Sequence, residues 1–249
     1  MSDVLGHRMK FGVIAPSTNT IVQPEFGWMA PYGVTNHFSR IHIPDDRLAS
    51  DADFEELMVR IRAELFQAVD RVMTARPNAI VMGMSSETFW GGLEGSIELK
   101  KKIGDRANGL PVAMGSDASQ AALRCFGDIT RIGVITPYMP IGDSEVTKFF
   151  SDCGFEVVAV EGLKCDSPTS IAHVDPKTLR NAVERVNDPQ IEAILQVGTN
   201  LCFAKLAPMA EFWLDKPVLA INTITYWHAL RMNGINDKVY GFGSLLQDY

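Results

Sequence analysis

Four short segments of this chain carry side chains suited to holding a small anion without any positive charge. They are Pro16-Ser17-Thr18-Asn19-Thr20, Gly83-Met84-Ser85-Ser86-Glu87-Thr88, Thr136-Pro137-Tyr138 and Val197-Gly198-Thr199-Asn200-Leu201-Cys202. Hydroxyls and amides next to the free N–H groups of a helix start suit a carboxylate or a phosphate. Ser17 or Thr18 could equally be a helix cap. Cys202 is expected in the first turn of the helix that follows, where the dipole favours thiolate; a core cysteine is the alternative. Glu87 could act as a base or merely complement a helix dipole. The Tyr138 phenol could donate to a substrate oxygen or simply pack. His228 falls in mid-helix and reads as structural, and no Ser, His and Asp arrangement suggests a triad. Neither GxGxxG nor GxxxxGK[ST] occurs, which argues against a dinucleotide or ATP site.

These segments are positioned by elements that occur twice. Lys10–Ser17 (KFGVIAPS) recurs as Arg131–Tyr138 (RIGVITPY), and Asn78–Ser86 (NAIVMGMSS) as Glu192–Asn200 (EAILQVGTN). Pro111–Ser116 recurs as Pro217–Asn222, and Ala121–Gly127 as His228–Gly234. Offsets of 106 to 121 residues mark one duplicated lobe, not a short-period solenoid. Apolar runs predict strands at 11–15, 37–43, 79–84 and 112–114 in the first lobe. The second lobe has them at 132–135, 156–160, 193–197 and 218–221. Stretches with helical spacing lie between, at 54–75, 143–153, 176–186 and 201–214, with matching helices at 117–126 and 223–233. The fold class is therefore α/β: two pseudo-symmetric lobes, each a parallel four-stranded sheet flanked by helices. By symmetry the last helix leads back to lobe one and Lys238–Ser244 forms a strand there. Lobe one is then residues 1–117 plus 223–249, and lobe two is 118–222. Open α/β sheets bind ligands beyond the carboxyl ends of their strands, so the active site is expected in the cleft between lobes.

Composition narrows the function. With 249 residues the chain can bury a large core without staples. A net charge of −7 and the lack of a basic stripe argue against nucleic acid. No apolar run is long enough to span a membrane, and MSDVLGHRMK lacks a signal-peptide pattern. The four cysteines (Cys125, Cys153, Cys165 and Cys202) have no metal-ligand spacing and read as reduced thiols in a cytoplasmic protein. Neither a metal nor a cofactor is expected.

The duplicated lobes, Pro-Ser-Thr-Asn-Thr at 16–20, Thr-Pro-Tyr at 136–138 and Lys-Pro-Val-Leu…Trp-His-Ala-Leu-Arg at 216–231 resemble the aspartate/glutamate racemase superfamily. Within it the chain is most similar to the branch of maleate cis-trans isomerase and arylmalonate decarboxylase, over residues 10–249. The resemblance implies a cofactor-independent isomerase or lyase acting on a small carboxylic or dicarboxylic acid. Isomerases and racemases of this superfamily use two cysteines, one at the end of each lobe's third strand, and the decarboxylase keeps the second. Those places map here onto Ser86 and Gly198, so both thiols are missing. Ser86 and Cys202 are the catalytic candidates that remain. Asn19 and Tyr138 match carboxylate-binding residues of the branch, and Ser85, Thr136, Gly198, Thr199 and Asn200 complete the expected substrate cradle. Such neutral donors can stabilise enolate-like charge as it develops. The expected partner is a small carboxylate, and a homo-oligomer is expected. The alternatives are a hydrolase of a small amide or ester using Ser86 or Cys202, and an inactive carboxylate-binding protein.

Overall fold

The computed structural model describes residues 3–249. Lobe one begins with β1 (Met9–Pro16), α1 (Val22–Met29), β2 (Val34–Ile41) and α2 (Asp51–Met73). It continues through β3 (Ala79–Met82), α3 (Ser86–Phe89), α4 (Gly92–Arg106) and β4 (Val112–Ala113), and α5 (Gly115–Cys125) leads across to lobe two. Lobe two runs β5 (Arg131–Thr136), α6 (Pro140–Asp152), β6 (Glu156–Gly162), α7 (Pro176–Val186), β7 (Ala193–Gln196), α8 (Leu206–Leu214) and β8 (Val218–Ala220). Helices α9 (Ile221–Met232) and α10 (Ser244–Asp248) close the chain.

Each sheet is parallel and four-stranded, ordered β2-β1-β3-β4 in one lobe and β6-β5-β7-β8 in the other. Every residue of β3 (AIVM) and of β7 (AILQ) is buried, as strands covered on both faces must be. The longest cover is α2, whose Phe54, Met58, Ile61, Leu65, Val69 and Val72 form one buried stripe at helical spacing. Ser50 starts that helix by accepting a hydrogen bond from the Asp53 amide at 3.3 Å. Asp175 and Pro176 start α7 in the same manner, with the Thr178 amide 2.9 Å from the Asp175 carboxylate.

Helix α9 follows the last strand of lobe two and packs on lobe one. Its Tyr226 ring lies 4.8 Å from Phe26 and 5.8 Å from Phe11, and its hydroxyl donates to Asn36 at 3.1 Å. The expected strand at Lys238–Ser244 does not form. Gly241 and Gly243 adopt φ of 82° and 95°, which breaks the extended backbone, and the chain turns into α10. The alternation of KVYGFGS imitates a strand, but Tyr240 is solvent-exposed while Leu245 and Leu246 of α10 supply the buried anchors.

Candidate active site in the cleft between the lobes

In each lobe the chain leaves the first strand to one side and returns on the other for the third. A crevice therefore opens beyond the carboxyl ends of β1 and β3, and of β5 and β7. The segments after these four strands meet across the interface. The Tyr138 hydroxyl and the Ser85 hydroxyl lie 2.8 Å apart, and the Thr199 amide donates to Ser85 Oγ at 3.2 Å. Asn19 Nδ2 donates to Thr199 Oγ1 at 3.0 Å, and Thr199 Oγ1 donates to the Gly83 carbonyl at 3.1 Å. Asn19 Oδ1 accepts from the Ile21 and Val22 amides, which fixes its rotamer. Asn200 accepts from the Thr20 amide at 3.0 Å and donates to the Pro168 carbonyl at 2.9 Å. Burial drives the Tyr138 phenol well above its ordinary range, so it remains an O–H donor.

Opposite this polar arc stands an apolar wall that includes Ile43, Leu48, Phe54, Leu57, Ile61 and Met139. The cavity between them is about 60 Å³, room for a few water-sized groups and so for a small molecule. The loops after β2 and β6 roof it and clasp each other: the Leu48 amide donates to the Asp166 carbonyl at 2.6 Å, and the Thr169 amide to Asp45 at 2.9 Å. Among the described residues, no ionisable side chain other than Tyr138 and Cys165 lines the cleft. No cluster of His, Cys, Asp and Glu among those residues is arranged to hold a metal ion.

Of the residues expected from sequence, the structure brings Asn19, Ser85, Ser86, Tyr138, Gly198, Thr199 and Asn200 to this one cleft. Two expectations fail. Thr136 is fully buried behind it; its hydroxyl donates to Asp143 and accepts from the Tyr138 amide at 3.1 Å, so it orients Tyr138 instead of touching substrate. Cys202 lies in a loop, because α8 starts at Leu206 and not at Leu201. Residues 199–204 are pinned sideways to lobe one by Thr199, Asn200 and the Ala204 amide, which leaves no helical turn at Cys202. Cys202 is exposed and away from the cleft lining, and partial burial together with the Glu25 charge pushes its thiol up, not down. Glu87 is bound by Arg62 Nε at 2.7 Å, and His228 lies 3.3 Å from Asp117; both are structural.

The sheet registers also revise one correspondence. Phe11 opposite Ala79 and Ile132 opposite Ala193 are equivalent pairs, so Gly198 corresponds to Met84 and Ser86 corresponds to Asn200. Ser86 and Gly198, the two places expected for the thiols, are therefore not equivalent positions of the two lobes. Gly198 has φ of 115°, and a Cβ built on it would stand 2.5 Å from Cδ of Pro137. This backbone excludes a thiol there as it stands. Sequence reasoning missed Cys165, which lines the cleft from the loop after β6. Its amide donates to the Pro137 carbonyl at 3.0 Å, so it neighbours the same proline that closes Gly198. Burial, with the Asp166 charge adding, pushes its thiol up to about 11. The only available signal was a cysteine one strand-to-loop crossing from the Tyr138 segment.

The profile of arylmalonate decarboxylase matches residues 11–246. The chain belongs to the arylmalonate decarboxylase family. A maleate isomerase of Pseudomonas putida is 24% identical over 249 residues, covering 95% of this chain and 96% of the relative. The fold is shared with a cysteine-to-serine variant of Nocardia farcinica maleate cis-trans isomerase carrying a covalently bound succinylcysteine intermediate. That similarity has a TM-score of 0.86 at 20% identity, over 97% of this chain and 99% of that one. A liganded arylmalonate decarboxylase variant matches with a TM-score of 0.82 at 20% identity, over 95% and 98% of the two chains. Met84 and Gly198, equivalent positions of the two lobes, both line the cleft and neither carries a thiol.

Proposed function

We propose that this chain is a cofactor-independent lyase that removes CO₂ from a small malonate-type acid bearing an apolar substituent. The observation that carries the reading is the division of one uncharged cleft into a hydroxyl and amide arc and an apolar wall. One substrate carboxylate accepts hydrogen bonds from Asn19 Nδ2, from the Tyr138–Ser85 hydroxyl pair and from Ser86. The apolar substituent lies against Phe54, Leu57 and Ile61. The second carboxylate then lies against apolar side chains, with no cationic side chain in the lining to stabilise its charge. When its C–C bond breaks, CO₂ leaves and the electron pair moves into the retained carboxylate as an enediolate. Fixed neutral donors stabilise that charge where it forms.

The carbon then takes a proton from the Cys165 thiol, which water reprotonates. A thiol held at about 11 is an S–H group at neutral pH, suited to donating a proton and poorly suited to adding to a double bond. This favours the lyase over the isomerase direction, and the lack of a histidine beside Ser86 disfavours hydrolysis. Incubation with phenylmalonate in D₂O tests the reading: one equivalent of CO₂ and singly deuterated phenylacetate are expected, with no fumarate from maleate. Conversion of maleate to fumarate through a succinyl adduct on the protein would overturn it.

A further inference from the structure

Behind the cleft lies a buried acid that the reaction does not use. Glu25 of α1 is 1% exposed, and Asn222, at the start of α9, is also 1% exposed. Asn222 Nδ2 donates to both the Glu25 carboxylate at 2.6 Å and the Thr199 carbonyl at 2.9 Å. The other Glu25 oxygen accepts from the Ala204 amide at 3.2 Å. One carboxylate therefore grips both ends of the 199–204 loop, at Ala204 directly and at Thr199 through Asn222. Thr199 in turn supplies the amide that orients Ser85 and the oxygen that orients Asn19.

We infer that Glu25 is a positioning residue: through Asn222 it holds the Thr199 arm of the cradle in its binding geometry, and only while it is a carboxylate. The reason is the count of donors and acceptors. A carboxylate accepts from Asn222 Nδ2 and leaves that nitrogen's second hydrogen for the Thr199 carbonyl. A neutral carboxylic acid must donate its own proton, and the acceptor at hand is Asn222 Oδ1, which is buried with no hydrogen-bond partner. Satisfying both groups requires the Asn222 amide to turn over. That turn places Oδ1 against the Thr199 carbonyl, two acceptors face to face, and the arm loses its tether. The unpartnered Asn222 oxygen is thus the second seat of a two-position amide.

The proton is taken up in an ordinary pH range. Burial raises Glu25 to about 7, against the pull of its bonds from Asn222, Ala204 and Phe203 and the charge of Lys205. The remaining ionisable groups on the packed elements are engaged elsewhere. Arg40 binds Gln23 and the Asn19 carbonyl, and His37 binds Thr35. Tyr226 stays a phenol on Asn36, His228 faces Asp117, and Arg231 holds the Tyr249 carbonyl. Cys202 feels the Glu25 charge but is a neutral thiol. Above the midpoint the arm is set; below it the arm is released.

This inference rests on the carboxylate-cradle reading for its binding arm, and the experiment separates the two. The Thr199 amide and the Asn222 side-chain amide are followed by NMR from pH 5.5 to 8.5 in wild type and Glu25→Gln, without ligand. In parallel, phenylacetate, itself ionised throughout, is titrated by calorimetry. Wild type should show both amides shifting together with a midpoint near pH 7. Its phenylacetate affinity should fall roughly fivefold below the midpoint, the size of one net hydrogen bond. Glu25→Gln has an N–H where the acid has its O–H. It should therefore show no titration and the weaker affinity at every pH. Amides that do not titrate in wild type, or an unchanged pH dependence in Glu25→Gln, would overturn the inference. Should Glu25→Gln not fold, the wild-type titration alone decides. Titrating amides with no phenylacetate binding at any pH would uphold Glu25 and refute the cradle reading instead.

Discussion

Replacing Gly198 with alanine should be costly, and the size of the cost can be divided into two parts. The backbone at Gly198 has φ of 115°, where an L-residue carries about 1–3 kcal/mol of strain. The new Cβ would also stand 2.5 Å from Cδ and 2.6 Å from Cγ of Pro137. Those are ring carbons and cannot swing aside, so the overlap adds about 1–3 kcal/mol of overpacking. The sum is about 2–6 kcal/mol, or a fall in Tm of roughly 4–24 °C for a chain of this size. Gly154 is the control: its φ is 88°, and a Cβ there meets nothing within 4 Å. Gly154→Ala should therefore show the strain alone, about half the loss. Thermal and urea unfolding of both variants measures the difference. Pro137→Ala combined with Gly198→Ala should recover the packing part but not the strain part. Equal losses for Gly198→Ala and Gly154→Ala would refute the claim that Pro137 closes this position to a side chain.

The cradle and the thiols can be tested separately. Ser85→Ala removes the hydroxyl that joins Tyr138 to the Thr199 amide; phenylacetate binding by calorimetry should weaken by about 10–100-fold, as for a lost bond to a charged group. Cys165→Ala should lower kcat on phenylmalonate by about 10²–10⁴-fold, the range for a proton donor, with phenylacetate affinity within about twofold. Cys202→Ala should leave kcat unchanged, since this thiol is exposed and outside the cleft lining; the reverse pattern would return the chemistry to Cys202. Asp143 gives a pH signature. Burial pushes it up to about 6, with Asp51 and Glu161 adding and Thr136 and Lys164 opposing. Its folded value exceeds the unfolded value of about 3.9, so the native state binds the proton more tightly. The resulting stability penalty grows as pH rises from about 4 through about 6 and persists above. Asp143→Asn should raise Tm above pH 6, with the gain vanishing below about pH 4.

How far the sequence reveals this molecule depends on the range of the forces involved. β3 and β7 are legible because parallel strands buried on both faces must be continuously apolar. The 54–75 stripe is legible because helical spacing is local, and α2 occupies 51–73. The loop at 201–205 is not legible: Leu201-Cys202-Phe203-Ala204 has helical composition. What prevents the helix is a set of bonds from residues about 180 positions away, Asn19, Thr20 and Glu25. Cys165 is hidden for a related reason. It sits on a roof loop with no counterpart cysteine in the other lobe, and only the clasp between the two roofs brings it to the cleft. Nothing in the sequence sets Glu25 apart; its burial comes from α9, which follows lobe two and packs back on lobe one. The cradle residues, by contrast, lie immediately after strand ends. Their placement follows from topology alone.

The duplicated frame ties the two lobes together through equivalent residues. Ser85 and Thr199 are equivalent residues of the two lobes, and they bond to each other across the interface. The tether between lobes therefore comes from the hydroxyl positions, one residue beyond Met84 and Gly198, and does not depend on what those carry. The same equivalence sets Ser17 against Tyr138, and here the lobes diverge. Ser17 folds back onto its own chain, accepting from the Ile43 amide at 3.1 Å and donating to the Ile43 carbonyl at 3.2 Å. Tyr138 instead crosses to Ser85. Lobe two thus contributes a phenol, and lobe one contributes the Asn19 amide from farther along its loop. Under the lyase reading, a substrate carbon carrying two carboxylates would meet a symmetric frame with unequal donors. One carboxylate can reach the arc, while the other is left against the apolar wall. The symmetry of the fold builds the cleft, and its breaking at Ser17 and Tyr138 leaves the two lobes with unequal donors facing it.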